Sequence, residues 1–187
     1  PMARRRGGYR RPRDTGMSEE QKLDPRLHFV VATAIIVKPR TRAEHGAGQG
    51  WQYLICKRAP HEKAFPNKWT VPGGKLVLHE YNHLPRTGES APQWYNVVDF
   101  VLRKEIREEV GLEIERPKFV CDLVFVRPDG YPVVTLSYWA PHKSGEVRLC
   151  KDLTDYAWVT LKEAKNYDLI EGIWDEIRMV DRDLGGS

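Results

Sequence analysis

The chain has 187 residues, 41% hydrophobic and 30% charged, which suits one soluble globular domain with a sizeable core. No stretch approaches the ~20 apolar residues of a membrane span, and three cysteines without a Cys-x-x-Cys spacing favour buried thiols in a reducing cytoplasm over disulfides or zinc. The net charge of +4 is confined to residues 1–26, with eight Arg/Lys against four Asp/Glu; residues 27–187 hold 22 of each, so no general electrostatic footprint for nucleic acid exists outside the tail.

Residues 1–22 read as a disordered tail rich in Arg and Gly, unable to bury enough apolar surface to fold alone. Nucleic acid could engage this protein only there. The remainder, 23–184, reads as one domain. Leu27 to Lys38 is a β-branched run and predicts a strand. Arg40 to Gly50 reads as a hairpin loop, and Trp51 to Lys57 as the returning strand. Arg58 stands at its end, followed by a loop in which Phe65 and Trp69 read as core or loop packing. Lys75 to Leu78 reads as a short strand, and about 79–92 as an inserted loop of the kind that shapes a binding site. Ser90 and Pro92 suit the start of a helix running to about Val110. Phe119 to Arg127 and Tyr131 to Ala140 flank Pro128-Asp129-Gly130 and predict a hairpin. Tyr156 to Val159 is a short strand, Leu161 to Lys165 a helical turn, and Ile170 to Asp183 an amphipathic helix with Ile173, Trp174, Ile177 and Val180 on its stripe.

The long helix ends in Lys104-Glu105-Ile106-Arg107-Glu108-Glu109-Val110-Gly111-Leu112. Positions 105, 108 and 109 stand in the i, i+3, i+4 relation and share a face. Three like charges there repel, and a hard divalent cation would remove the repulsion. The apolar stripe above them leads onto that face, so it borders the core, where bare carboxylates are costly. Gly111 fits the left-handed position that ends a helix. Upstream, Trp69-Thr70-Val71-Pro72-Gly73-Gly74 brings a strand into two glycines, where a carbonyl can approach a metal with no Cβ in the way.

Together these segments resemble the Nudix hydrolase family, whose signature is G, five residues, E, seven residues, then R-E-U-x-E-E-x-G-U, with U a bulky aliphatic. Gly74 and Glu80 match the first part; Glu105, Ile106, Glu108, Glu109, Gly111 and Leu112 match the second. Two departures stand out. Lys104 replaces the signature arginine and loses its planar fork, and 23 residues separate Glu80 from Lys104 instead of seven. Glu80 keeps its spacing from Gly74, with Glu89 as the rival for that role.

The resemblance implies an α+β fold, an α/β/α sandwich with a mixed sheet between helices, and an enzyme that hydrolyses the pyrophosphate bond of a nucleoside diphosphate linked to another group. It implies Mg²⁺ or Mn²⁺ held by the Gly73 carbonyl, Glu105, Glu108 and Glu109, with Asp152 as a further acid from outside the motif. Glu105 and Glu109 would carry the catalytic carboxylates, Lys104 would orient one, and Glu80 would act through the metal or its water. Arg58 and Gly74 would face the substrate. The expected substrate is a small nucleotide, a nucleoside triphosphate or an ADP-ribose-like compound. An RNA-end-processing or RNA-binding protein working through the Arg-rich tail, or a catalytically silent nucleotide sensor, remains the alternative. A homodimer is open, since many members of the family are dimers.

Overall fold

The unbroken apolar run at the start of the domain is explained by the sheet it joins. The computed structural model describes residues 24, 26–40, 50–127 and 129–185. The expected tail (1–22) and most of the expected loop between Arg40 and Gly50 lie outside the described residues.

Strand β1 (Phe29–Pro39) is central. It pairs antiparallel with β2 (Trp51–Arg58) and the short β4 (Gly73–Lys75), and parallel with β7 (Pro132–Ser144). β2 also carries β3 (Trp69–Thr70) and β8 (Leu153–Val159), and β7 carries β5 (Glu113–Ile114) and β6 (Lys118–Val126). The result is one mixed eight-stranded sheet. The expected hairpin is β6–β7, with Val126 opposite Pro132 across the turn.

Four helices accompany the sheet among the described residues: α1 (Leu78–Tyr81), α2 (Val97–Val110), α3 (Leu161–Ala164) and α4 (Ile173–Asp183). A strand covered on both faces needs no polar alternation. Ala32, Ala34 and Ile36 of β1 therefore pack in one core with Leu102, Ile106 and Val110 of α2. Their neighbours Ile35 and Val37 point the other way, into a core with Ile173, Ile177 and Val180 of α4. This is the expected α/β/α sandwich. No helix among the described residues is long and apolar enough to cross a membrane.

Three local expectations are corrected. The helix does not begin near Ser90: α2 starts at Val97, after Asn96 in a left-handed conformation (φ 59°). The preceding residues satisfy each other instead. Thr87 donates its amide and hydroxyl to the Gln93 carbonyl, and the Trp94 indole donates to the Leu84 carbonyl at 2.9 Å and packs edge-on against Tyr81. The insert is thus an ordered irregular element with its own bonds. Lys75 to Leu78 is not a strand either; β4 ends at Lys75 and Leu78 opens α1. The last strand is longer than expected, beginning at Leu153. The far end of α2 follows the sequence: Gly111 takes φ 70°, and its amide bonds the Arg107 carbonyl.

Ile177 is fully buried in the α4 core, away from the carboxylate cluster. Ile177→Ala is expected to lower unfolding free energy by about 2–5 kcal/mol, measured by urea denaturation.

Candidate active site

The two glycines of β4 set the geometry. A Cβ on Gly73 would lie 2.2 Å from the Ala32 carbonyl oxygen and 2.7 Å from the Thr33 Cα, so β4 can lie in its register beside β1 only as glycine. A Cβ on Gly74 would lie 2.3 Å from the Glu105 Cδ. The helix carboxylates therefore reach the strand because the strand has no side chains there. The Gly73 amide donates to Glu109 Oε2 at 2.9 Å.

The glutamates of α2 divide around its buried line, Leu102, Ile106 and Val110. Glu105 and Glu109 flank this line and turn inward, while Glu108 has a side chain 59% exposed. The shared face of three carboxylates is thus two part-buried groups with an exposed third. Burial pushes the Glu109 carboxyl up to about 7 despite its bond from the Gly73 amide, with the Glu105 charge adding to the rise. Burial also raises Glu105, and Lys104 opposes that rise.

Lys104 is the cation of the cluster. Its Nζ donates to Glu108 Oε2 at 2.7 Å and lies 3.4 Å from Glu80 Oε1 and 3.5 Å from Glu105 Oε1. The Glu108 carboxylate holds this ammonium above its ordinary range. A single amine thus contacts three carboxylates, where an arginine fork would have gripped one in two places. The other Glu80 oxygen, Oε2, is buried without a partner. Between the two rivals for the first carboxylate the geometry is unequal: Glu80 joins Lys104 and lines the cavity, whereas Glu89 is exposed and lines nothing.

A cavity of about 630 Å³ opens beside this cluster, a size typical of small-molecule sites. Gly73, Gly74, Glu80, Glu105 and Glu109 line one end. Arg58 also lines it, with Nε donating to the Ala64 carbonyl at 2.8 Å and its other arm ion-paired to Glu62. Asp152 sits with His61 and Glu62 rather than in the cavity lining that holds Glu105 and Glu109. Its Oδ1 lies 3.0 Å from His61 Nε2, outside the cavity lining, although its charge is felt at Glu109. Trp69 packs edge-on against Tyr167 at 4.7 Å, as core, whereas Phe65 lines the cavity beside Phe125.

Sequence reasoning missed Glu62, His61, Thr33 and Glu176, all near or in the cavity. For Glu176 a signal existed: it falls between Ile173 and Ile177 on the apolar stripe of α4, where a charge is out of place. The others lie in a loop or a strand without periodic contrast.

A phosphate-handling hydrolase is the class that this fold and acid cluster define. No family model matches the sequence. The chain is 30% identical over 127 residues to the nucleoside triphosphatase NudI of Klebsiella pneumoniae, covering 63% of this chain and 79% of that protein. It is 28% identical to NudI of Escherichia coli over the same length. Among solved structures, the fold is similar to a MutT Nudix hydrolase from Burkholderia pseudomallei (TM-score 0.58, 22% identity, 82% of this chain and 98% of that one). It is also similar to the Nudix domain of Shewanella oneidensis NrtR, solved with ADP ribose (TM-score 0.59, 16% identity, 87% and 94%). The chain belongs to the Nudix hydrolase family and is a pyrophosphohydrolase of that type.

Glu109 has a direct consequence for stability. Its folded value of about 7 stands above the ordinary 4.5, so the native state binds the extra proton and stability falls as pH rises between the two values. In EDTA, wild type is expected to lose about 3 kcal/mol of unfolding free energy from this group between pH 4.5 and 8. Glu109→Gln should lack that component in paired denaturation series.

Proposed function

We propose that this protein cleaves the pyrophosphate linkage of a small nucleotide, a nucleoside triphosphate in the first place, with an ADP-ribose-like diphosphate as the second candidate. One observation carries the reading. Two part-buried carboxylates, Glu105 and Glu109, abut the paired glycines Gly73 and Gly74 in the lining of a cavity of small-molecule size. The NudI relatives, named as nucleoside triphosphatases, support the choice of a triphosphate.

The donor set fits Mg²⁺ or Mn²⁺. It consists of hard carboxylate oxygens, one of them orphaned on Glu80, with more negative charge than Lys104 can balance. Glu105, Glu108, Glu109 and the Gly73 carbonyl would hold the ion. Such an ion, when bound, neutralises charge on the pyrophosphate oxygens and acidifies water. The protein's own groups do the rest. Glu105, half-buried and raised by burial, is suited to accept the proton of the attacking water. Lys104 holds Glu105, Glu108 and Glu80 in one constellation. Arg58, braced by Glu62 and the Ala64 carbonyl, and the Gly74 backbone meet the phosphate chain. Asp152 contributes at the rim through His61. The free thiols of Cys56, Cys121 and Cys150 suit a reducing compartment such as the cytoplasm.

The test is phosphate release, with a coupled phosphatase, from a nucleotide panel in Mg²⁺ or Mn²⁺. Glu109→Gln is expected to reduce turnover at least about 100-fold. Gly74→Ala should reduce it at least about tenfold by displacing Glu105. Absence of turnover on every nucleotide, in both metals, would overturn the proposal.

A further inference from the structure

The cavity also contains a buried acid that none of these roles uses. Glu176 of α4 is only 5% exposed, yet it lines the cavity. Ser137 Oγ donates to its Oε2 at 2.6 Å. Its Oε1 has no hydrogen-bond partner among the described residues. Among the described residues no cation is paired with it: burial pushes the carboxyl up and the Ser137 bond draws it back. A carboxylate removed from water without a full set of donors is costly, so N–H donors delivered by a ligand would be favoured at this oxygen.

The surroundings narrow what the ligand can be. Thr33 is opposite Ser137, and Val31 opposite Thr135, in the β1–β7 register. The two threonines line the cavity, and the Thr33 hydroxyl is buried without a partner. Val31, Val133, Leu123 and Ile173 supply apolar wall, with the rings of Phe65 and Phe125 6.3 Å apart along it, while Lys63, Lys75, Arg127 and Glu171 also line the cavity. A chamber with apolar and aromatic walls and an acceptor-only group on its floor suits a flat heteroaromatic ring with N–H groups on one edge.

We propose that this chamber takes the nucleobase, and that Glu176 selects a base with two adjacent N–H donors, the edge formed by N1–H and the 2-amino group of guanine. Hypoxanthine lacks the second donor. Adenine and cytosine set a ring-nitrogen acceptor beside their amino group, and that lone pair would face the carboxylate. Uracil offers one N–H flanked by two carbonyls. The proposal rests on the nucleotide reading above, but not on turnover.

The deciding experiment measures kcat/KM for GTP, ITP, ATP, CTP and UTP on wild type and Glu176→Gln. Calorimetric binding of GMP and IMP to both proteins accompanies it. The glutamine keeps an acceptor for Ser137, and the GTP/ITP ratio cancels any loss of folded enzyme. Wild type should prefer GTP over ITP by about tenfold or more, and over the other three, because a site built for two donors rejects the analogue lacking one. Glu176→Gln should bring the GTP/ITP ratio to within about threefold of unity, and GMP and IMP should follow the same pattern in binding. A wild-type ratio near one, a ratio unchanged in Glu176→Gln, or a preference for uracil overturns the proposal. Discrimination in binding without hydrolysis of any nucleotide would uphold it while sinking the hydrolase reading. Hydrolysis without discrimination would do the reverse.

Discussion

The structure depends on a stretch of backbone that must carry no side chains. Gly73 lies against the Ala32 carbonyl at a distance no Cβ could tolerate, and Gly74 lies against the Glu105 carboxylate, which a Cβ would push aside. That closeness lets α2, packed on one face of the sheet, present Glu105 and Glu109 to a cavity that extends over the other. Without it the helix would still pack through Leu102, Ile106 and Val110, but its acids would meet a wall. The cost is a buried carboxylate, Glu109, held by a backbone amide rather than by a cation. Its tendency to take up a proton is the electrostatic sign of that placement.

Lys104 manages the remaining charge. A lysine at the end of a flexible stem can stand among Glu80, Glu105 and Glu108 at once, which suits a cluster whose first acid arrives on an inserted segment. The insert preserves that arrival by closing on itself through Trp94, Thr87 and Gln93 before α2 begins. The 23 residues between Glu80 and Lys104 thus hold an element with its own bonds, and Glu80 still reaches Lys104.

Much of this was legible in the sequence, for identifiable reasons. The β-branched run of β1, the turn at Asp129-Gly130 and the glycine stop at Gly111 are local signals, and local rules read them. The pairing of Gly73-Gly74 with Glu105 and Glu109 was expected from the resemblance to the Nudix signature, whose two halves these residues match. The start of α2 was misread because Ser90 and Pro92 form a plausible cap by composition, while the bonds that hold residues 84–94 in another shape join side chains to distant carbonyls. Asp152 was assigned by its place near the last strand, and only packing shows the His61 and Glu62 that stand with it. Glu176 was legible but passed over: it stands on the stripe of Ile173, Ile177 and Val180, where a charge is out of place, yet the apolar residues alone were enough to assign the helix.

The sheet register also divides the chain into two unequal labours in folding. The carboxylate end comes from residues 73–109, anchored where β4 meets β1 with Val31 beside Lys75. The chamber end needs β7 and α4, with the same Val31 now beside Thr135. β1 is thus a shared template, closing a loop of about forty residues on one side and about a hundred on the other. Because closure entropy grows only with the logarithm of length, the longer loop costs under about 1 kcal/mol more. The difference lies in time rather than in energy: contacts distant in sequence form slowly. The half of the cavity that carries the helix carboxylates can be in place while the half built from β7 and α4 is still searching for its register.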